Sequence, residues 1–240
     1  MIEAYLMHEK ERNAQGIPAL PLNPEQTTSL CELLQSPPAG KEEFLMSLFT
    51  ERVSPGVDPA AEVKAGFLAD ILTGSRKSPL IDKKQAVQIL GTMIGGYNVQ
   101  PLISALSDAS LADDAASALS GLTYLYDAAA QVLELAKSNT AARKVAESWA
   151  NAEWFTNKPE MPETITVKVF KVEGEINTDD FSPAGDAWSR PDIPLHALAM
   201  GKTRFPGGIE DIAKWRLEGH QVAFVGDVVG TGSSRKSACN

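Results

Sequence analysis

The chain has 240 residues, 31 acidic against 22 basic side chains, and a formal net charge of −9. This length allows two domains with a core each, and the acidic balance argues against a general binder of polyanions, although a local basic patch is compatible with it. Cys31 and Cys239 stand far apart without CxxC or Cys/His spacing, so neither a disulfide framework nor a protein-encoded metal site is indicated and a reducing compartment fits. The chain opens without a signal-peptide pattern and has no apolar run of membrane-spanning length, so we expect a cytoplasmic protein with no membrane partner.

The first part of the chain is rich in Ala and Leu at helical spacing, and Pro, Gly, Asn and Asp separate its amphipathic segments. Pro24 stands where the first residue of a helix is expected. Further on, small and apolar residues predict two short antiparallel helices joined by a tight SDAS turn: Val99, Leu102 and Leu106 on one, and Leu111, Ala115, Ala118 and Leu119 on the other. This unit resembles a HEAT repeat. Since no strict period recurs, we predict an irregular HEAT-like helical array.

The composition changes sharply near NKPEMPETITVKVF, where TITVKVFKV alternates β-branched residues and places Ile165, Val167 and Val169 on one face. We therefore predict a helical domain over 1–158 and a second domain over 159–240. The second domain reads as a strand, an irregular stretch, a helix in GIEDIAKWRLEGH, a strand in QVAFVGDVV and a glycine turn. The predicted fold is α followed by α/β. Because an α/β layer needs further elements to cover its sheet, we expect this domain to be incomplete and the chain to be part of a longer protein.

The last stretch, VGDVVGTGSSRKSACN, excludes two nucleotide-binding patterns. The dinucleotide fingerprint fails because Arg235 takes the position of its third glycine, and the Walker pattern fails because Thr231 stands where glycine is required. A strand that enters a glycine turn can still offer backbone N–H groups to a small anion, and an arginine fork matches a carboxylate. The alternative is a plain glycine turn with solvated polar residues.

Two separated segments, NTDDFSPAGDAWSRPDIPLHAL and GDVVGTGSSRKSA, resemble the swivelling domain of the aconitases. The helical leader, with its stretches GTMIGGYN and NAEWF, is similar to the one that opens the B type of that family. The resemblance covers essentially the whole chain. It implies an aconitate hydratase of the tricarboxylic acid cycle that interconverts citrate and isocitrate through cis-aconitate and also dehydrates 2-methylisocitrate.

The resemblance assigns roles in the terminal turn. Ser233 is implied to be the base that takes and returns a substrate proton as an alkoxide. A serine is a weak acid, so its oxyanion needs the backbone N–H groups of Gly230 and Gly232 and the cation of Arg235. Ser234 and Arg235 are implied to hold the substrate carboxylates.

The resemblance also assigns roles in the NTDD and WSRPD segments. Arg190 is implied to be a second substrate-binding arginine, although it could be a surface residue ahead of proline. The adjacent substrate loop is implied to contain Asp192, Ile193 and Pro194. Asp179 is implied to orient a histidine of another domain. Many aconitases have histidine at the next position, where this chain has Asp180, and both aspartates could instead be turn residues.

The remaining histidines and cysteines receive structural interpretations. His196 and His220 are interpreted as structural or solvated, and His8 as part of an exposed helix. Cys31 lies among leucines and is interpreted as a core thiol. None of these residues is expected to take part in the chemistry.

The resemblance implies a 4Fe-4S cluster in the full-length enzyme, held by three cysteines with defined spacing. This chain has two unrelated cysteines, so we expect it to bind neither cluster nor metal and to be inactive alone. The implied partners are a small tricarboxylate substrate and the remaining cluster-bearing domains of the same protein, with a homodimer through the helical domain and mRNA in the cluster-free state. The alternative function is an interaction or RNA-binding helical module that mediates dimerisation and post-transcriptional regulation.

Overall fold

The computed structural model describes residues 1–15, 19–122, 126–158, 160, 162–186, 196 and 199–232. The chain divides into two compact units. The first consists of Leu22–Pro159 together with Met1, and the second joins Ile2–Pro21 to Glu160–Asn240. The predicted domain ranges, 1–158 and 159–240, stay a prediction, because independent folding is a property of the separated pieces in solution.

The first unit is an array of helices that pack as successive pairs. Its helices are α2 (Pro24–Gln35), α3 (Glu42–Glu51), α4 (Pro59–Thr73), α5 (Lys83–Gly91), α6 (Val99–Ala105), α7 (Ala112–Ser120), α8 (Tyr126–Leu135), α9 (Thr140–Ala150) and α10 (Glu153–Thr156). Helix α2 contacts α3, α4 contacts α5, α6 contacts α7 and α8 contacts α9. Further contacts link α2 to α4, α5 to α7 and α7 to α9, which joins the pairs into one body. The predicted helical array is confirmed, and its assignment to HEAT-like repeats stays a prediction.

Side-chain caps explain where several of these helices begin. At α2, Asn23 Oδ1 accepts the N–H of Gln26 at 2.8 Å, and Gln26 Oε1 accepts the N–H of Asn23 at 3.0 Å. This reciprocal capping box satisfies two N–H groups that a helix start leaves without partners. Pro24 is the first residue of α2, as predicted. Asp82 and Gln85 form the same arrangement at α5.

Apolar residues fill the interior of the first unit, and each buried leucine contributes about 1.5–3 kcal/mol relative to an exposed one. The helix pair predicted around the SDAS turn is present, with Leu102, Leu106 and Leu119 buried. In the described part of this unit, two charged residues are also buried: Arg52, and Lys64 of α4, which is 2 % exposed. Its Nζ donates to the carbonyl oxygen of Phe49 at 2.7 Å, so the buried ammonium is hydrogen-bonded to the carboxyl-terminal turn of α3.

The stretch GTMIGGYN has a packing role in the first unit. The N–H of Ile94 donates to the carbonyl of Pro55 at 2.8 Å, which brings the loop after α5 against the loop before α4. A Cβ at Gly95 would lie 1.9 Å from the carbonyl oxygen of Gly56. Only glycine allows this close approach of two backbones.

The second unit contains α1 (Ile2–Ala14), β1 (Lys168–Asn177), α11 (Thr178–Phe181), a 3₁₀ turn (Ala184–Asp186), α12 (Gly208–Leu217) and β2 (Val222–Thr231). Strands β1 and β2 are parallel neighbours, paired from Lys168 opposite Val222 to Asn177 opposite Thr231. The predicted α/β part is therefore confirmed as a small two-stranded parallel sheet with helices, within the described residues. The helix predicted in GIEDIAKWRLEGH is α12.

The predicted limits of both strands were wrong. Strand β1 begins at Lys168, whereas Ile165 and Val167 precede it and are exposed. The ladder starts where the N–H of Lys168 donates to the carbonyl of Gln221 at 2.7 Å, and the residues before it have no paired strand in the described part of the chain. Strand β2 continues through the first glycine of the predicted turn and ends at Thr231, because that residue still pairs with Asn177.

Aromatic residues form the core of the second unit. The ring of Phe224 lies 5.0 Å from Phe181 and 5.1 Å from Phe205, between ring centroids. Val172 and Ile176 of β1 are buried in the same cluster. This core packs β1, β2 and α11 against one another.

Candidate functional site

The two segments that carry the predicted site residues meet at the carboxyl end of the strand pair. Asn177 ends β1 and Thr231 ends β2, and the two are paired across the sheet. A Cβ placed on Gly232 would lie 3.3 Å from Oγ1 of Thr178, so the glycine turn passes directly beside the first residue of α11. Segments about fifty residues apart in sequence are thereby brought to one edge, where ligands of parallel α/β sheets bind.

Glycine conformations shape the turn that leaves β2. Gly230 has a φ of +84° and Gly232 a φ of +91°. L-residues that carry a side chain rarely adopt these backbone angles, so both positions favour glycine. The contact with Thr178 adds a second reason for glycine at position 232.

The start of α11 is held by a capping box. Asn177 Oδ1 accepts the N–H groups of Asp179 at 2.8 Å and of Asp180 at 3.0 Å. Asp180 Oδ2 in turn accepts the N–H of Asn177 at 2.9 Å. The carboxylate of Asp180 therefore stabilises the turn. Neither Asn177 nor this role of Asp180 was predicted, although the spacing Asn-x-x-Asp resembles a capping pattern.

Asp179 is the one predicted site residue inside the described ranges. It lies in the first turn of α11, its side chain is exposed, and its backbone N–H is fixed by Asn177. The other predicted site residues lie outside the described residues: Arg190, Asp192, Ile193, Pro194, Ser233, Ser234 and Arg235. Their roles stay predictions.

Two cross-strand side-chain contacts stabilise the sheet next to this edge. Asp227 forms an ion pair with Lys171 and accepts the N–H of Gly174 at 2.7 Å, at the irregularity in β1. The hydrogen bond and charge of Lys171, with the Gly174 N–H, lower the pKa of Asp227. Closer to the strand ends, the hydroxyl of Thr231 donates to the carboxylate of Glu175.

His196 lies in the described part of the same unit and is buried, with 8 % of its surface exposed. Its Nε2 is 3.0 Å from the carbonyl oxygen of Pro183, and its Nδ1 is 3.4 Å from Oγ of Ser182. His220, by contrast, has a half-exposed side chain beside Glu218. The two histidines, which received the same interpretation from the sequence, thus differ in burial and in hydrogen bonding.

The cysteine content bears on the iron–sulfur cluster that the resemblance implies. Such clusters are bound by thiolates of several cysteines, and the sequence has two cysteines. Cys31 is buried in the first unit, and burial raises the pKa of its thiol to about 12. Among the described residues, no group of three or more His, Cys, Asp or Glu side chains is placed to hold a metal ion.

In the ranges that the structure describes, no helix is both long enough and apolar enough to cross a bilayer.

A helical array followed by an α/β unit with polar turns at its strand ends defines a class of multidomain proteins, and comparison with known proteins identifies the family. The family model described as "Aconitate B N-terminal domain" matches residues 4–155, and the one described as "Aconitate hydratase 2 N-terminus" matches residues 167–240. The chain belongs to the aconitase B family, which confirms the resemblance found in the sequence.

Curated relatives match the chain along its whole length. It is 57% identical to aconitate hydratase B of Pseudomonas aeruginosa, over 100% of this chain and 29% of that protein. It is 57% identical to aconitate hydratase B of Synechocystis sp., over 100% of this chain and 28% of the relative, and 55% identical to the Escherichia coli protein of that name, over 100% and 29%. The chain therefore spans less than a third of the length of these relatives.

Proposed function

We propose that this chain is the N-terminal part of a cytoplasmic aconitate hydratase that interconverts citrate and isocitrate through cis-aconitate and also dehydrates 2-methylisocitrate. The observation that carries the proposal is the meeting of the two polar segments at the strand ends, where Gly232 passes beside Thr178. The names of the relatives, all aconitate hydratase B, supply the reaction.

Proton transfer is assigned to the glycine turn. Ser233 takes and returns the proton on the substrate carbon, and it directly follows Gly232. Backbone N–H groups of the turn and the guanidinium of Arg235 stabilise the serine oxyanion, because a serine hydroxyl is otherwise too weak an acid. Ser234 and Arg235 also bind substrate carboxylates.

Substrate binding is shared with the segment after α11. Arg190 binds a carboxylate through its planar fork, next to a substrate loop that contains Asp192, Ile193 and Pro194. Asp179 orients a histidine contributed by another domain. Its exposed side chain, on a turn whose backbone is held by Asn177, supports this role because the carboxylate can face a neighbouring domain from a fixed position.

The 4Fe-4S cluster is assigned to the remaining domains of the full-length enzyme. When bound there, the cluster supplies a Lewis acid for the substrate hydroxyl. Because this chain has two cysteines and the cluster requires more, we propose that the chain alone binds no cluster and does not turn over substrate.

The interaction module is the second candidate. A helical array offers the kind of surface on which such modules bind partners. The most direct test of this candidate is a sedimentation experiment that looks for homodimerisation through the helical unit. The net charge of −9 gives no electrostatic footprint for mRNA. We therefore keep aconitate hydratase as the leading proposal.

The test uses the full-length, cluster-loaded enzyme and measures cis-aconitate hydration. We expect Ser233→Ala to lower kcat by about 10²–10⁴-fold or more with little change in KM, because a general base acts mainly in the transition state. Arg190→Lys should instead raise KM, since it keeps the charge and loses the fork. Ser75→Ala, an exposed serine of the first unit, is the matched control.

Two outcomes would contradict the proposal. A Ser233→Ala enzyme with a full cluster and nearly normal kcat would assign the base to another residue. A cluster-loaded wild-type enzyme that hydrates no cis-aconitate would refute the function itself.

A further inference from the structure

Asn177, the last residue of β1, holds the backbone on both sides of Asp179. Its Oδ1 accepts the N–H of Asp179 at 2.8 Å and the N–H of Asp180 at 3.0 Å. These N–H groups belong to the two peptide units that flank the Cα of Asp179, so one side chain fixes the point from which the Asp179 carboxylate projects. Because Asn177 also pairs with Thr231, that point is fixed relative to both strands.

Further hydrogen bonds hold the rest of the turn around Asp179. The N–H of Ser182 donates to the carbonyl of Thr178 at 2.8 Å, and the N–H of Gly201 donates to the carbonyl of Asp180 at 2.8 Å. All four residues of α11 lie in the described ranges, and among them Asp179 alone is exposed, whereas Thr178 is buried. The turn therefore presents one exposed carboxylate from a backbone that is fixed on every side.

We propose that Asn177 is a positioning residue, which acts on catalysis by keeping the Asp179 carboxylate in place beside the carboxyl ends of β1 and β2. This inference rests on the proposed function, because it takes Asp179 as the residue that orients a histidine of another domain. A carboxylate orients an imidazole through a hydrogen bond, and such a bond weakens steeply as its angle departs from linear. Loosening the backbone of Asp179 therefore weakens its hold on the histidine and lowers kcat.

A purely structural cap would have a different signature. Asn23 at α2 and Asp82 at α5 form the same reciprocal capping box in the first unit, in helices that carry none of the proposed site residues. Loss of any of these caps weakens the start of its own helix. Only loss of the cap at Asn177 also displaces Asp179, so Asn23→Ala is the matched control.

The experiment compares Asn177→Ala with Asn177→Ser in the full-length, cluster-loaded enzyme, with cis-aconitate hydration as the assay. Serine caps a helix about as well as asparagine, and alanine has no acceptor for the two N–H groups. We expect Asn177→Ala to lower kcat by about tenfold, at the lower end of the roughly 10–100-fold that loss of an orienting partner costs. Asn177→Ser should restore kcat to within about threefold of the wild-type value, and Asn23→Ala should leave it unchanged.

A double variant tests whether Asn177 acts through Asp179. Asp179→Asn keeps the size of the side chain and loses its charge, so it should lower kcat by about 10–100-fold. In that background Asn177→Ala should lower kcat no further, because the carboxylate that it positions is already absent. Losses that multiply would overturn the proposal. An Asp179→Asn enzyme with normal kcat would also overturn it, and would leave the aconitate hydratase function standing.

Amide hydrogen exchange provides a readout that does not depend on turnover. Exchange at residues 178–182 should be about fivefold faster in Asn177→Ala than in the wild type, and close to wild type in Asn177→Ser. If the wild-type enzyme hydrates no cis-aconitate, the proposed function fails, and the exchange comparison still decides whether Asn177 holds Asp179 in place. If the alanine variant does not fold, Asn177→Gly takes its place, because glycine also lacks the acceptor and costs a helix start less. Equal exchange in the capping and non-capping variants would overturn the proposal.

Discussion

Replacing Gly232 by alanine directly tests the arrangement at the strand ends. The φ of +91° at this residue costs an L-residue about 1–2 kcal/mol. The new Cβ would also lie 3.3 Å from Oγ1 of Thr178 and 3.8 Å from Cβ of Asn177. Thr178 is buried, so it cannot simply rotate away into solvent. We expect a total loss of about 2–3 kcal/mol, the second part from overpacking.

Gly230→Ala is the matched control, because it changes the backbone cost without the contact. Gly230 has a φ of +84°, and no described atom lies within 4 Å of a Cβ built there. This variant should lose only the backbone cost of about 1–2 kcal/mol. The difference between the two variants, about 1 kcal/mol, then measures the contact between the glycine turn and α11.

Amide exchange in β1 and β2 is the suitable assay, because it reports the free energy of local opening in one unit of a two-unit chain. If Ser233 is the base that we propose, Gly232→Ala in the full-length enzyme should also lower kcat/KM more than Gly230→Ala does, because it displaces the turn that leads to this residue. Equal opening free energies for the two variants would refute the inference that α11 and the glycine turn pack against each other.

Three further predictions concern stability. Gly95→Ala should destabilise the first unit by about 3 kcal/mol or more, because its Cβ would overlap a backbone carbonyl. Gly66→Ala, at an open position in α4, should instead stabilise that unit by about 0.5–1 kcal/mol. Denaturant unfolding distinguishes the two opposite changes in the free energy of unfolding. Lys64→Ala should lower the free energy of unfolding by about 2–4 kcal/mol because it leaves a cavity, and Lys64→Met by about 1 kcal/mol because it loses one hydrogen bond. Equal losses in the same unfolding assay would contradict the importance of the buried aliphatic part of the lysine side chain. The pKa of Asp227 is lowered in the folded chain. Its contribution to the stability of the β1–β2 pair should therefore be fully present above the ordinary pKa of 3.8 and should disappear as the pH falls through the folded-state pKa. Asp227→Asn should remove this part of the acid sensitivity of the β1–β2 pair, and a pH profile of exchange identical to wild type would show that the ion pair with Lys171 contributes nothing.

Local sequence patterns predicted the helices of the first unit well. The start of α2 at Pro24 depends on residues three positions apart, which a short window contains. The burial of Leu102 and Leu119 likewise follows from helical periodicity. Such features depend on neighbours in sequence.

Strand limits and the strand-end contacts depend on partners far away in sequence, so periodicity could not supply them. β1 begins where Gln221 first offers a carbonyl to Lys168, and the alternation before that residue gives no sign of it. The contact of Gly232 with Thr178 is also invisible in either segment alone. Asn177 could have been identified from its spacing to Asp180, because that cap is local.

The grouping of Ile2–Pro21 with Glu160–Asn240 has a consequence for synthesis on the ribosome. Helix α1 is translated before the helical array, whereas residues 160–240 of the same unit are translated only after it. At about 5–20 residues per second, the interval is roughly 7 to 30 s. During that time the array can fold, while α1, whose Tyr5 is buried in the folded chain, still lacks the rest of its unit. We therefore expect chaperones to bind the nascent chain at α1, and ribosome profiling of chaperone-bound nascent chains would test this.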